Sequence, residues 1–316
     1  MKASVVHTLG QPPRFEEFLD PEPQQEEVLI QVRAAGLHPV VRAIAKGAHY
    51  SASKEVPFIP GLDGVGTRAD GARVYFGGAR RPWGTMAEQC SVPSGMTIPL
   101  PDGIEDTKAA AIANPGMSAW LSLSDRGELV AGETVLIMGA TGVAGHLAIQ
   151  IARQLGAKRI LAAGRNEDVL KGQDVDGVIG LSQPEDAIRE VLTSYALERI
   201  DVVIDYLWGR PTELLLDALA KGFKPSATHT TRLVEVGQSA GSSIQLRGET
   251  LRSIDLRILG SGFGAVPLDK IFATLPKLFD AAAAGLLTVE VDPVPLSEVE
   301  SAWERPQGAR RTVFTL

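Results

Sequence analysis

Residues 133–165 read ETVLIMGATGVAGHLAIQIARQLGAKRILAAGR, and few folds can hold that order. Thr134 to Met138 is a short apolar run with β-branched residues, bounded by Gly132 and Gly139, and it predicts a buried strand. Gly139, Gly142 and Gly145 follow at equal spacing. Leu147, Ala148, Ile151, Ala152 and Leu155 then recur at helical intervals and mark one apolar face. Gly156 stands where a helix C-cap falls. Arg159 to Ala163 is a second strand-like run ending at Gly164. Strand, Gly-rich turn, helix and strand in about 30 residues form the unit that seats a dinucleotide pyrophosphate on a helix N-terminus.

The spacing has a chemical reason. The pyrophosphate must approach backbone amides that the first helical turn leaves unpaired, here around Val143 and Ala144. A side chain at Gly142 would block it; Gly139 permits the tight exit from the strand, and Gly145 permits close helix–strand packing. The pattern is G-x-x-G-x-x-G rather than G-x-G-x-x-G, and Thr141 in the gap offers a hydroxyl to a phosphate. NAD-selective folds place an acid about 20 residues beyond the glycines, on the ribose 2′-hydroxyl. This chain has Arg165 there, after Gly164 and before Asn166. A carboxylate repels a 2′-phosphate, whereas a guanidinium binds one with two hydrogen bonds, so NADP(H) is expected. Glu167 and Asp168 are assigned to the first turn of the next helix, with Asn166 as its N-cap.

At 316 residues the chain has room for two cores. A net charge of −7 without a basic block disfavours nucleic acid. No apolar run is long enough for a membrane span or a signal peptide, so a cytoplasmic protein is expected. The single cysteine, Cys90, permits no intrachain disulfide and no thiolate zinc cluster, and it is assigned to a buried strand. None of the five histidines pairs with another at metal-ligand spacing, so no metal is expected.

The first 115 or so residues look β-rich, with dense Pro and Gly, as in a small barrel with long loops. Strands are predicted at Val28–Ala34, Ala72–Phe76 and Gly84–Pro93, then helices at Glu105–Ala113 and Met117–Leu123. From Glu133 strands and helices alternate through Val178–Ile179, Asp201–Asp205, Thr212–Ala220, Leu233–Val236 and Leu256–Leu259, the pattern of a doubly wound parallel sheet. A helix at Leu268–Ala284 and strands at Val289–Val291 and Arg311–Leu316 break that pattern and are returned to the first domain. Tyr50 and Lys54 spell Y-x-x-x-K, the pair of short-chain dehydrogenases. Here the Tyr precedes the Gly-rich turn, and Pro57 and Pro60 disfavour a helix.

In this order the chain resembles the medium-chain dehydrogenase/reductase superfamily over nearly its whole length, closest to the zinc-free quinone oxidoreductase (zeta-crystallin-like) branch. Gly36-Leu37-His38-Pro39 is similar to G-V-N-P, and Pro60 to Gly66 to P-G-x-D-x-x-G. Gly71 to Val74 is similar to G-D-R-V, Gly84 to Glu88 to G-x-Y-A-E, and Asn114 to Trp120 to N-x-G-x-T-A-Y. The resemblance implies a GroES-like β-barrel catalytic domain over residues 1–116 and 265–316, and a Rossmann NADP(H) domain over 117–264. It places the zinc branch's catalytic cysteine at His38 and its G-H-E ligand pair at Leu62 and Asp63; its four-cysteine lobe is missing, so three metal ligands cannot be assembled. Val41 and His38 depart from the family's acid and asparagine. By resemblance Ser118, Val236, Gly237, Ser261, Gly262 and Phe263 line the nicotinamide half, and Arg311 lies near the cofactor. The strand Leu256–Ser261 resembles the edge that pairs in family dimers, so a homodimer is expected.

The function this implies is hydride transfer from NADPH to a quinone or a conjugated enone or enal. His38 is a candidate proton or hydrogen-bond donor, and Tyr50 a candidate donor or stacking partner. Each has a plain structural counterpart, a loop histidine on backbone and an exposed loop aromatic. Two other functions stay open: an enoyl-thioester reductase with Arg42 and Lys46 on a carrier phosphate, and a non-catalytic NADPH-binding or sensing protein.

Overall fold

The computed structural model describes residues 1–221, 229–306 and 308–316. Its backbone separates into two units, Met1–Asn114 with Leu275–Leu316, and Pro115–Thr274. The return to the first unit falls inside the helix Leu268–Ala283, later than position 265.

The second unit is built on six parallel strands. In space they run Gly177–Gly180, Arg159–Gly164, Thr134–Met138, Val202–Asp205, Thr231–Glu235 and Leu256–Gly260. Helices cover both faces, so the strands read as continuous apolar runs, and Val135, Leu136, Ile137, Val203 and Ile204 are fully buried. The first strand of this unit in chain order, Thr134–Met138, lies inside the sheet. The chain builds outward from it to one edge and then resumes on its other side at Val202–Asp205. That reversal is the switch point of a doubly wound sheet, where a ligand seats beyond the carboxyl ends of the strands.

The first unit is dominated by antiparallel pairing. The ten-residue strand Glu27–Gly36 bonds Asp63–Arg68 along one edge and shares the other between Gln89–Pro93 and Arg310–Thr315. A bulge between Val32 and Ala34 interrupts its register. Ile30, Val32 and Ala34 are buried while Gln31 and Arg33 are exposed, as the alternation predicts. The C-terminal strand Arg310–Thr315 sits between Glu27–Gly36 and Glu290–Pro295, so the chain's last strand completes a sheet that starts with Glu27–Gly36; Lys2–Val5 and Arg14–Glu17 pair in a separate two-stranded sheet. Trp303, Phe314 and Met86 anchor this core. Cys90 packs with Ile30, Val32, Val74, Phe76 and Val92, and burial pushes its thiol up to about 12.

Local predictions fail in two places. Glu105–Ala113 and Met117–Leu123 are not two helices: one helix, Asp106–Leu121, runs through Pro115 and ends in a π-turn, Ser122–Arg126. Burial of Ala109 to Ala113, Met117, Ala119 and Leu121 outweighs a proline cost of roughly 3 kcal/mol. The strand expected over Gly84–Pro93 covers only Gln89–Pro93, with a single bridge at Ala87. A Cβ at Gly84 would stand 2.2 Å from the Ile59 carbonyl, so that stretch is a close backbone crossing rather than a ladder.

Candidate functional site

The Gly-rich turn has the predicted geometry. Gly139 has a φ of +91°, and the Gly139 and Ala140 amides both donate to the Ala163 carbonyl at 2.9 Å. Gly142 is the N-cap of the helix Val143–Gln154, which has no side-chain cap and no acid in its first turn. Its first amides therefore have no intrahelical acceptor and no competing charge. A Cβ at Gly142 would meet only the Gly139 carbonyl, at 3.8 Å, so the space over the helix end is open. At Gly145 it would stand 2.5 Å from Ala140 Cα, and at Gly164 2.7 Å from Thr141 Cγ2. One glycine keeps a cradle empty; the other two let backbone and Thr141 close together. These residues fit a pyrophosphate.

The corner after the second strand is a concavity lined by Arg165, Asn166, Glu167, Asp168, Ser182 and Gln183. Arg165 is exposed, and no carboxylate of the described residues pairs with its guanidinium. Its carbonyl accepts from Ser182 Oγ at 2.9 Å. Asn166 Oδ1 accepts from the Val169 amide at 3.2 Å, so it is the predicted N-cap of Glu167–Lys171. Gln183 donates to Glu167 Oε1 at 2.7 Å, and Lys171 lies 3.4 Å from Glu167 Oε2; these two groups hold Glu167 below the usual carboxylate range. The acid is thus tied to its own helix and to Gln183.

The carboxyl ends of the next two strands hold a group that the motifs do not flag. Asp205 is fully buried. Its Oδ1 accepts from the Leu207 and Trp208 amides at 2.8 and 3.1 Å, and its Oδ2 from Thr212 Oγ1 at 2.5 Å. Burial pushes it above the usual range. Burial, then the Asp205 charge, does the same to Glu235. The Asp205 carbonyl accepts from the Val236 and Gly237 amides at 2.8 and 3.2 Å, so this residue fixes both the turn after its own strand and the start of the one alongside. Trp208 sits at φ +53° within that turn and packs against the unit's core. An acid ending an apolar strand just before a turn is the only signal the sequence carries for this role.

Ser118 is half-buried in the helix Asp106–Leu121. The Ser261 amide donates to the Glu235 carbonyl at 2.8 Å, and Phe263 is exposed.

In the first unit His38 N-caps the helix Pro39–Ala45 through its backbone and is fully buried. Its Nε2 lies 3.2 Å from Asp63 Oδ1, but neither ring nitrogen has an aligned hydrogen-bond partner. It is therefore not the backbone-bonded loop histidine. Asp63 Oδ2 accepts from Tyr75 Oη at 2.9 Å. Arg311 is buried in the same cluster and donates from Nη1 to the Leu37 carbonyl at 3.0 Å; burial lowers it to about 10. Tyr50 lies in a turn, 75% exposed, with its ring against His49, and the Y-x-x-x-K stretch is not helical. Lys46 lies 3.6 Å from Glu304 Oε1, and Arg42 donates to the Arg305 carbonyl, so both cations offered to a carrier phosphate are engaged. Among the described residues no group of three or more His, Cys, Asp or Glu could hold a metal, and no helix is long and apolar enough to cross a membrane.

No family model matches the chain. It is 26% identical to the probable NADPH-dependent quinone reductase tdiC of Emericella nidulans over 96% of both chains. It is 31% identical to the quinone oxidoreductase of Rattus norvegicus over 66% of each. The crystal structure of the quinone oxidoreductase of Thermus thermophilus, also solved with NADPH, superposes over the whole of both chains with a TM-score of 0.76 at 28% identity. The chain belongs to the medium-chain dehydrogenase/reductase superfamily. In that superfamily's terms, the six-stranded unit is its Rossmann domain, and the unit completed by the C-terminal strand is its GroES-like domain.

Proposed function

We propose that this medium-chain dehydrogenase/reductase is an enzyme that uses NADPH to reduce a quinone or a conjugated enone or enal, without zinc. The observation that carries the reading is the open Gly142 cradle at the switch point, with Arg165 on the concavity one strand away. Bound there, NADPH supplies a hydride. Gly139, Thr141, Gly142, Val143 and Ala144 hold the pyrophosphate; Gly164, Arg165 and Asn166 hold the 2′-phosphate; Ser118, Val236, Gly237 and Ser261 to Phe263 line the nicotinamide half. His38 is the better of the two donor candidates. Neither ring nitrogen has an aligned hydrogen bond, the Asp63 carboxylate at 3.2 Å being the neighbour of Nε2, so a hydrogen bond to the acceptor's oxygen would satisfy a buried group, whereas Tyr50 is already solvated. The zinc-free reading rests on His38, Leu62 and Asp63 standing at the ligand positions of the zinc branch.

The test is NADPH oxidation followed by absorbance with p-benzoquinone, a naphthoquinone, an alkenal and an enoyl thioester, each with and without a strong zinc chelator. Turnover of a quinone or alkenal that survives chelation is expected. Tight NADPH binding with no turnover on any acceptor would favour the sensing alternative instead.

A further inference from the structure

Two pieces of the second unit assigned to the nicotinamide half lie far apart in the chain: Ser118 on the helix Asp106–Leu121, and Ser261 to Phe263 after the edge strand. Ser122 is one helical turn beyond Ser118, so the two share a helix face. Ser122 is fully buried, and its Oγ donates to Ser261 Oγ at 2.9 Å. Two more bonds run between the same π-turn and the chain around that segment. Arg126 Nε donates to the Gly260 carbonyl at 2.8 Å, and Lys270 Nζ lies 3.2 Å from Asp125 Oδ1. All three come from the five-residue π-turn Ser122–Arg126, a rare conformation over-represented at functional sites. Beyond this root, Gly262 and Phe263 are exposed.

We propose that Ser122 is a positioning residue: its hydroxyl sets the segment Ser261–Phe263 against the helix that carries Ser118, and so prepares the nicotinamide half of the nucleotide site. This rests on the NADPH reading above. Of the three links only the serine pair joins the two pieces from a fully buried side chain, Ser122, to the half-buried Ser261. Arg126 holds the strand end just before the segment, and the exposed Lys270 pair is worth little alone. A hydroxyl bonded to a hydroxyl is also easily lost: without Ser122 the partner Ser261 can turn to water, and the segment after it loses its register. The adenosine side of the site, at Gly139–Gly145 and Arg165, makes no use of this link.

The experiment is calorimetric titration of the full-length chain and of Ser122→Ala with NADPH and with 2′,5′-ADP, which lacks the nicotinamide half. Ser122→Ala is expected to weaken NADPH roughly tenfold, the loss of one hydrogen bond's worth of ordering, and to leave 2′,5′-ADP within about twofold. Ser122→Thr, which keeps the hydroxyl, is expected to restore most of the NADPH affinity. Equal weakening of both ligands, or no weakening of either, overturns the proposal. So does a wild type that binds the two ligands equally, although the cofactor reading then survives. A wild type that binds neither removes that reading and the proposal together.

Discussion

At the residue scale the nucleotide site depends on a few positions where a side chain is excluded or a charge is chosen. Gly142 and Gly145 look alike in the sequence and differ in the structure: an added Cβ is free at the first and collides with backbone at the second. Gly142→Asp should therefore keep the fold, since Asp is a preferred N-cap, and change the melting temperature by about 2 °C at most. It should also weaken NADPH on the order of 100-fold, because a carboxylate then occupies the anion's place. Gly145→Val should instead unfold the unit, and paired melting and binding curves separate the two cases. Arg165→Glu should cost NADPH roughly 10- to 100-fold and spare or improve NADH, read from the ratio of the two dissociation constants. Cys90 gives a pH signature. Its folded thiol titrates near 12 against an ordinary 9.0, so its contribution is complete below pH 9 and is lost as pH rises toward 12. Urea stability should fall more steeply from pH 8 to pH 11 in the wild type than in Cys90→Ala. Parallel slopes would contradict the buried, protonated thiol. The glycines, Arg165, Asn166 and Cys90 are legible in the sequence because each obeys a local rule. Asp205 is not, since its role lies in bonds to residues whose positions only the fold supplies.

At the element scale the long periodic segments are readable and the irregular ones are not. The strand Glu27–Gly36 and the helix Val143–Gln154 follow from alternation and helical spacing alone. The helix through Pro115 is hidden because a local breaker is set against burial on both sides of it, which a single sequence does not display. The edge strand Leu256–Gly260 carries a further consequence. The Ser261 amide donates to Glu235, and the Asp255 carbonyl accepts from Thr231, so odd-numbered residues here face the neighbouring strand. The backbone groups of Leu256, Ile258 and Gly260 therefore face the open edge, and Arg126 already takes the Gly260 carbonyl. If a second copy pairs there, Ile258→Pro removes a pairing amide without touching the ladder to Thr231–Glu235. Light scattering should show the proposed dimer shifted to monomer in that variant. A dimer of undiminished affinity would move the interface elsewhere.

At the scale of the whole molecule the chain order is the informative signal: a β-rich beginning, an alternating middle and an end that returns to the beginning. That order, rather than any single motif, carries the family, because the short motifs are each weak and their sequence along the chain is not. It also makes the last residues structural. Val313 and Phe314 are fully buried in a strand flanked on both sides. A chain ending at residue 308 should thus lose the first unit's cooperative melting, since each buried side chain alone is worth roughly 1.5–3 kcal/mol. What the sequence does not show is the acceptor, because His38 and Val41, which the resemblance implies lie near the nicotinamide, depart from the family's pattern. Selection of the phosphorylated nucleotide by the Gly-rich turn and Arg165 is open to titration of the 316-residue chain with NADPH and NADH side by side. Saturable binding of NADPH at least about tenfold tighter than NADH is expected; no binding of either, or NADH bound as tightly, would rule that selection out.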